Sequence, residues 1–557
     1  MISSLHLCCN YNGKDFHSPV KIRISAEPDV LMPHFSTNTY ANQIGNKIFA
    51  SLLVYSPYSG ELRPFLATQL PVVKSDNNGI SVLYEIREEA KWDDGTPVTG
   101  YDYEFTLKLI LNKHIVKSKY LSATQYIDEI RVDPSNNKKF TVHCKNRYFL
   151  FKELTGTIPL VNESIFDENK ELRKFDLKEF QSNDTIQLRI AQKVDEIFKN
   201  RNYQLQLGCN AYKYQNWQTG EKILLSKKQN WWGDVLAKQD SFFNYRAQSL
   251  EYEIVPDNNA ALALFKSGGL DIVSGVPADE FQRLKKNNPT DVLLYENQLS
   301  NVHFFAINTL KQPILNDLEN RRALFYLIDL EKFIKENLNG YATINANPFS
   351  NMRDYYDPST PHPHLDIEKA KEILTKNGWK DLDNDGILEK KVNGKIIKFS
   401  ISIFYLVQNQ TIEPLLSSMR INAKKIGIDI TYTPFEFTTL LARMKSKAFD
   451  IALVSFTQSP MPDDPYQTWH SSQISGEGIN YTGFGDKASD GLIDSIRTTL
   501  DVVERKELLI QLQKQIYNQM PALFLYSLKD KVMMSNQLKN TFVSQVRPGY
   551  FENYFSK

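Results

Sequence analysis

Between Tyr252 and Val273 the chain spells a strand, a helix and a second strand with almost nothing between them. Tyr252-Glu-Ile-Val reads as a strand. Residues 259–266 follow as a helix with Ala261, Leu264 and Phe265 on one face, Gly268-Gly269 stops it, and Asp271-Ile-Val is the next strand. A strand–helix–strand unit with short loops can satisfy its backbone and bury its apolar faces in few ways, the commonest being a parallel sheet covered by helices. The pattern returns later. Asp366 caps a helix with Ala370, Ile373 and Leu374 aligned, ending at Asn377-Gly378; strand-like Lys398-Phe-Ser-Ile-Ser-Ile-Phe follows. A helix with Ile412, Leu416, Met419, Ala423 and Ile426 then stops at Gly427, and Ile428-Asp-Ile-Thr-Tyr is the strand after it. The expectation is an α/β protein with largely parallel sheets.

One core does not serve a chain of 557 residues; at about 150 residues per domain, three to four lobes are expected, with clefts between them. In such lobes ligands sit beyond the carboxyl ends of the strands. There is no short-period repeat and no low-complexity tether, so the lobes are joined by short crossings.

Charge narrows the partners. The 66 Lys and Arg nearly cancel the 65 Asp and Glu, leaving no global basic field to hold a nucleic acid. No run approaches the about 18 apolar residues that cross a bilayer. The first residues, MISSLHLCCN, read either as the tail of a lipoprotein signal, with Cys8 or Cys9 as the anchor, or as an ordinary disordered terminus. Cys144 and Cys209 add neither paired metal spacing nor a disulfide framework.

Catalytic signatures are scarce: there is no GxSxG elbow, phosphate loop, HExxH or GxGxxG after a strand. Asp381-Leu-Asp-Asn-Asp-Gly386 has the first half of a calcium loop, but Val392 stands where a bidentate Glu is required, so it reads as a polar turn. His362-Pro-His364 offers two imidazoles without further ligands, and reads as a loop. No metal site and no cofactor is expected. The segment from Phe456 to Gln473 leaves the carboxyl end of the buried strand Asp450-Ile-Ala-Leu-Val-Ser and mixes aromatics, carboxylates and hydroxyls, the composition of a ligand loop. An acid–base reading there, a hydrolase using Asp463 or Asp464 with His470, lacks a nucleophile or metal.

One further stretch, Lys91-Trp-Asp-Asp-Gly-Thr-Pro-Val-Thr-Gly-Tyr-Asp102, joins the strand ending Glu85-Ile-Arg87 to an apolar run of helical spacing. With Leu62-Arg-Pro64-Phe-Leu-Ala67, Gly208-Cys-Asn-Ala-Tyr212, Trp217, Gly220-Glu-Lys-Ile-Leu-Leu, Trp231-Trp232-Gly233, Phe305-Ala-Ile-Asn308, Gly378-Trp379 and Pro521-Ala-Leu-Phe-Leu, it resembles, in order over about 500 residues, the family 5 extracellular solute-binding proteins. These are the peptide-type receptors of ABC importers. The resemblance implies a two-lobed, periplasmic-binding-protein-like α/β fold (a type II Venus flytrap) with an additional inserted α/β lobe. Residues 20–55, 160–298 and 527–557 would form lobe I, 56–159 the insert and 299–526 lobe II, with 1–19 as the N-terminal segment. The 91–102 stretch would be a structural turn, with Trp92 packing and Asp94 or Asp102 capping.

By the same resemblance the chain is an extracytoplasmic monomer, not an enzyme, that closes on a peptide and presents it to a permease. A receptor for another small solute, a metal chelate or sugar, is the alternative. Peptide binders place an Asp four residues before a Pro in the late loop; here Met461 stands four before Pro465, so Asp463 is the candidate counter-charge to an amine. Phe456 and Trp469 are candidate apolar walls with His470 beside them, and Thr37, Asn38 and Thr39, in Phe35-Ser-Thr-Asn-Thr-Tyr40, are candidates for backbone-type contacts from lobe I.

Overall fold

The computed structural model describes residues 18–557 apart from 77–78, 116–117, 125, 200–207, 312, 363 and 477. The expectation for Cys8 and Cys9 lies outside the described residues.

Both strand–helix–strand units form where the periodicity puts them. Ser249–Ile254, helix Asn258–Lys266 and Ile272–Ser274 make the first. Helix Ile367–Lys376, strand Ser400–Leu406, helix Glu413–Lys424 and strand Asp429–Phe435 make the second. Gly268 and Gly427, the helix stops, sit at φ +76° and +79°, a conformation that costs glycine nothing and other residues a steric clash. Leu416, Met419 and Ala423 are all buried.

The units build two halves of one long sheet. In one half Val20–Ile24 runs parallel to Ser249–Ile254 and Ile272–Ser274, and in the other Ser400–Leu406 runs parallel to Asp429–Phe435 and Ile451–Thr457. The largely parallel expectation is corrected at the flanks. Lys222–Lys227 pairs antiparallel with Tyr212–Gln218, because a connection of three residues can only make a hairpin, and antiparallel with Ser249–Ile254 across the longer segment 228–248. Asn301–Ile307 pairs antiparallel with Ile451–Thr457.

The halves meet on the last strand, Ala522–Ser535. Its first part pairs with Asn301–Ile307 and Ala342–Ile344, its later part with Val292–Gln298 and Ile272–Ser274. The chain therefore crosses between halves twice, near Leu299-Ser300 and near Leu528. Asn301 ties the crossings together: its side-chain amide donates to the Leu528 carbonyl (2.8 Å) and its Oδ1 accepts from the Leu528 N–H (2.7 Å).

A separate antiparallel sheet, ordered Val72–Asp76, Gly79–Glu85, Lys139–Cys144, Glu129–Val132, packs on helix Gly100–Leu111. Tyr103 lies 4.8 Å from Phe140, ring centre to ring centre, in its core. The 91–102 stretch is a turn. Trp92 is buried, Asp94 Oδ1 accepts from the Thr96 N–H (2.9 Å), and buried Asp102 accepts from the N–H and hydroxyl of Thr99, the cap of that helix. Among the described residues no helix is long and apolar enough to cross a membrane.

Candidate functional site

The loop Gln458–Gln473 leaves the carboxyl end of Ile451–Thr457, and what holds it is a residue pair far away in sequence. The Arg353 guanidinium donates to the carbonyls of Ser459 (2.6 Å), Pro460 (3.2 Å) and Met461 (2.9 Å) and to Asp463 Oδ2 (2.9 Å). Tyr355 adds its hydroxyl to the same oxygen at 2.6 Å. Asp463 is thus already neutralised within its own half of the molecule. Burial pushes its carboxyl up, against the pull of Arg353 and Tyr355.

Its neighbour Asp464 faces elsewhere. It accepts from the Tyr148 hydroxyl (2.7 Å) and from Arg497 Nε (3.1 Å), while Arg497 also donates to the Tyr126 hydroxyl (3.1 Å) and lies over the Tyr466 ring. The Phe149 N–H donates to the Arg497 carbonyl (2.9 Å), and Arg505 stacks on Phe149. Tyr126, Tyr148 and Phe149 border the separate antiparallel sheet, so this cluster docks that sheet's subdomain on the loop and on helices Lys487–Thr498 and Val502–Gln519.

The remaining expected residues divide by burial. Trp469 is 3% exposed, packed among Phe304, Phe484 and Phe524, and serves as core under the loop. Phe456 is half-buried, edge-on to Phe304 at 5.1 Å. His470 Nδ1 accepts from the Ser472 N–H, and the carboxylates within 4 Å of the ring are Asp490 and Asp494. With Asp463 and Asp464 committed to arginines and tyrosines, the acid–base arrangement considered for a hydrolase is not assembled. Asn38 caps helix Thr39–Ile48, its Oδ1 accepting from the Tyr40 and Ala41 N–H groups, and Thr37 and Thr39 are exposed beside it.

The other end of that helix opens on a cavity of about 240 Å³. Lys47, Tyr55, Thr157, Asn210, Arg547 and Asn553 supply its polar groups, and Phe49, Tyr120 and Tyr245 much of its apolar lining. Arg547 places it: the same side chain donates to Thr457 Oγ1 (2.9 Å), at the end of the strand that feeds the late loop. The cavity is lined by helix Thr39–Ile48 and the segment after it, by residues around Thr157 and by the C-terminal tail, with aromatic walls and a few converging polar groups, as small-molecule sites are built. A wider open groove, about 1670 Å³, lies at the opposite edge of the sheet, between the 91–95 turn and Tyr212–Lys227; Lys228 and Lys227 there are paired with Asp93 and Asp234.

Tyr55, Arg353, Tyr355 and Arg547 were not singled out in the sequence. Tyr55 ends the three-residue strand Leu53–Tyr55, too short to show a period, the others stand in irregular, Pro- and Asn-containing segments, and no motif marks them. The acidic trio Asp381, Asp383 and Asp385 does converge, the one such group among the described residues, but the Lys398 ammonium sits on Asp383 (3.1 Å) and Asp385. That favours the polar-turn reading. His364 packs edge-on to Tyr326.

Comparison with known proteins agrees with this architecture. The family model for bacterial extracellular solute-binding proteins, family 5, matches residues 61–477. The oligopeptide-binding protein AppA of Bacillus subtilis is 24% identical over 519 residues, covering 92% of this chain and 87% of that one. Its solved structure with a nonapeptide superposes with a TM-score of 0.70 at 22% identity, over 97% of this chain and 99% of that chain. NikA from Brucella suis, in complex with Fe(III)-EDTA, superposes with a TM-score of 0.76 at 18% identity, over 96% and 99%. With three quarters of its length matched by the family model, the chain belongs to the bacterial extracellular solute-binding proteins of family 5.

Proposed function

We propose that this protein is the extracytoplasmic receptor of an ABC importer that captures peptides between two lobes and delivers them to the permease. In this reading lobe I comprises residues 20–55, 160–298 and 527–557, lobe II 299–526, and 56–159 is the insert. The observation that carries it is the meeting of two sheet halves on one last strand, with two short crossings that permit hinge motion and Arg547 of one half reaching Thr457 of the other. Contacts that form with both lobes exist only in the closed state, so a ligand shifts the population toward closure. The peptide ligands of the AppA relatives support the choice of solute. A metal chelate is the second reading, favoured by the likeness to NikA and by the neutralisation of Asp463. In this reading the protein is a monomer, with anchoring through Cys8 or Cys9 set against an ordinary unanchored terminus.

Native mass spectrometry of gently purified protein, followed by denaturation and identification of released molecules, tests this. Short peptides of mixed sequence support the peptide reading. A single chelate or other non-peptide solute, or a protein that peptide mixtures fail to stabilise against heat, overturns it.

A further inference from the structure

Among the described residues, the Tyr55 hydroxyl and Oε2 of Glu153 are buried polar atoms without a partner on the insert side of the cavity. Tyr55 lines the cavity itself. Glu153 stands one helical turn before Thr157, another lining residue, whose N–H (3.0 Å) and hydroxyl (2.9 Å) both donate to the Glu153 carbonyl. The helix carrying it, Phe151–Gly156, presses on strand Leu53–Tyr55 so closely that a Cβ on Gly156 would come within 2.4 Å of the Leu53 side chain. Burial and the Glu153 carboxylate push the Tyr55 hydroxyl up, so the two orphan groups neighbour each other, Tyr55 on the cavity wall and Glu153 behind it.

The charged groups around this region are already engaged. Arg353 is saturated by Asp463 and three carbonyls, and Arg505 donates to the carbonyls of Thr499 and Leu500 while stacking on Phe149. Among the described residues the ion-pair partner of Glu153 is Lys152, at 3.3 Å through Oε1, and it leaves Oε2 uncovered. A buried carboxylate oxygen without a donor costs far more than the same oxygen hydrogen-bonded. A phenol next to it can accept or donate.

We infer that Glu153 and Tyr55 form a recognition subsite for a cationic nitrogen of the bound ligand, an ammonium or guanidinium that donates to Glu153 Oε2 and to the Tyr55 oxygen. Asp463 does not take this role, because Arg353 and Tyr355 hold it. The inference rests on the peptide-receptor reading and adds to it the ligand chemistry: one positive group, bound from the insert side. Two sources carry that chemistry, a free amino terminus and a basic side chain.

The test is calorimetric titration with alanine-based pentapeptides of three kinds: free amino terminus, acetylated, and acetylated with one lysine. Wild-type protein is expected to bind the free-amine or the lysine peptide at least about tenfold more tightly than the acetylated alanine peptide, and whichever does so identifies the source. Glu153→Gln is expected to remove that discrimination and leave the acetylated peptide's affinity in place. Tyr55→Phe, which keeps the ring, is expected to reduce discrimination severalfold and stands in if Glu153→Gln does not fold. Equal binding of all three peptides by wild type, or discrimination unchanged in the variants, overturns the subsite while leaving a peptide receptor. Failure of every peptide to bind folded wild-type protein overturns the receptor reading and the subsite with it.

Discussion

Tyr148→Phe removes a single oxygen and is the sharpest probe of whether the subdomain of the separate antiparallel sheet takes part in the proposed closure. The Tyr148 hydroxyl donates 2.7 Å to Asp464, a carboxylate whose side chain is 16% exposed and which keeps Arg497 as a second partner. A hydrogen bond to a charged group is worth about 1.5–3 kcal/mol, and the remaining Arg497 pair and partial exposure argue for the lower end, about 1.5 kcal/mol, or roughly tenfold. If the contact exists only in the closed state, that tenfold falls on the closing equilibrium. The apparent dissociation constant for a bound peptide then rises by up to about tenfold, mostly through faster dissociation. Stopped-flow dissociation followed by tryptophan fluorescence measures the rate, and small-angle scattering of the liganded protein reports the loss of closed conformers. A double-mutant cycle with Asp464→Asn is expected to give a coupling of about 1 kcal/mol in ligand affinity. An unchanged dissociation rate combined with a lowered melting temperature refutes the reasoning: the bond would then be a permanent contact of the fold.

Other outcomes follow from buried polar groups. Asp463→Ala strands the Arg353 guanidinium in a mostly buried site and is expected to destabilise by about 3 kcal/mol, read as a drop in the urea midpoint. His34 and His303 are both lowered by burial to about 4, each partly offset by a hydrogen bond to the backbone. Because the folded values lie below the ordinary 6.5, the unfolded chain takes up the protons first. Stability is therefore full above about pH 6.5 and declines as pH falls toward 4, by about 3 kcal/mol per histidine. Urea midpoints at pH 7.5 and 4.5, with His303→Gln expected to flatten the difference, check this. Asn301→Ala leaves the Leu528 N–H and carbonyl without their partners and is expected to cost about 2 kcal/mol and to broaden the distribution of lobe angles seen by scattering.

What could be read in advance was whatever is local. The face formed by Leu416, Met419 and Ala423 declares a helix at any position in a chain, and Gly427 declares its end. The turn at 91–102 was legible for the same reason, since Asp94 and Asp102 act on groups two or three residues away. Asp463 shows the limit. Its place in a ligand-type loop follows from the strand before it, but its chemistry is set by Arg353, 110 positions upstream in a segment with no period. The cavity is less legible still: helix Thr39–Ile48, the insert and the C-terminal tail each bring side chains to it, and only the closed topology makes them neighbours. The antiparallel flanks escaped because strand direction depends on connection length and partner, not on the strand's own residues.

The shared last strand also bears on how such a chain comes to be folded. Until residues 522–535 arrive, Val292–Gln298 lacks a partner along seven residues and Asn301–Ile307 lacks one on one side along four, and unpaired edges of this kind recruit other strands. Neither half can be finished before the chain is almost complete. A protein threaded through a membrane from its amino end gains by that delay, because the translocating segment meets no stably folded half to pull apart. The same arrangement makes the C-terminal segment indispensable: a chain cut before Pro521 would lose the seam of both sheets at once and is left with two unclosed halves in place of one receptor.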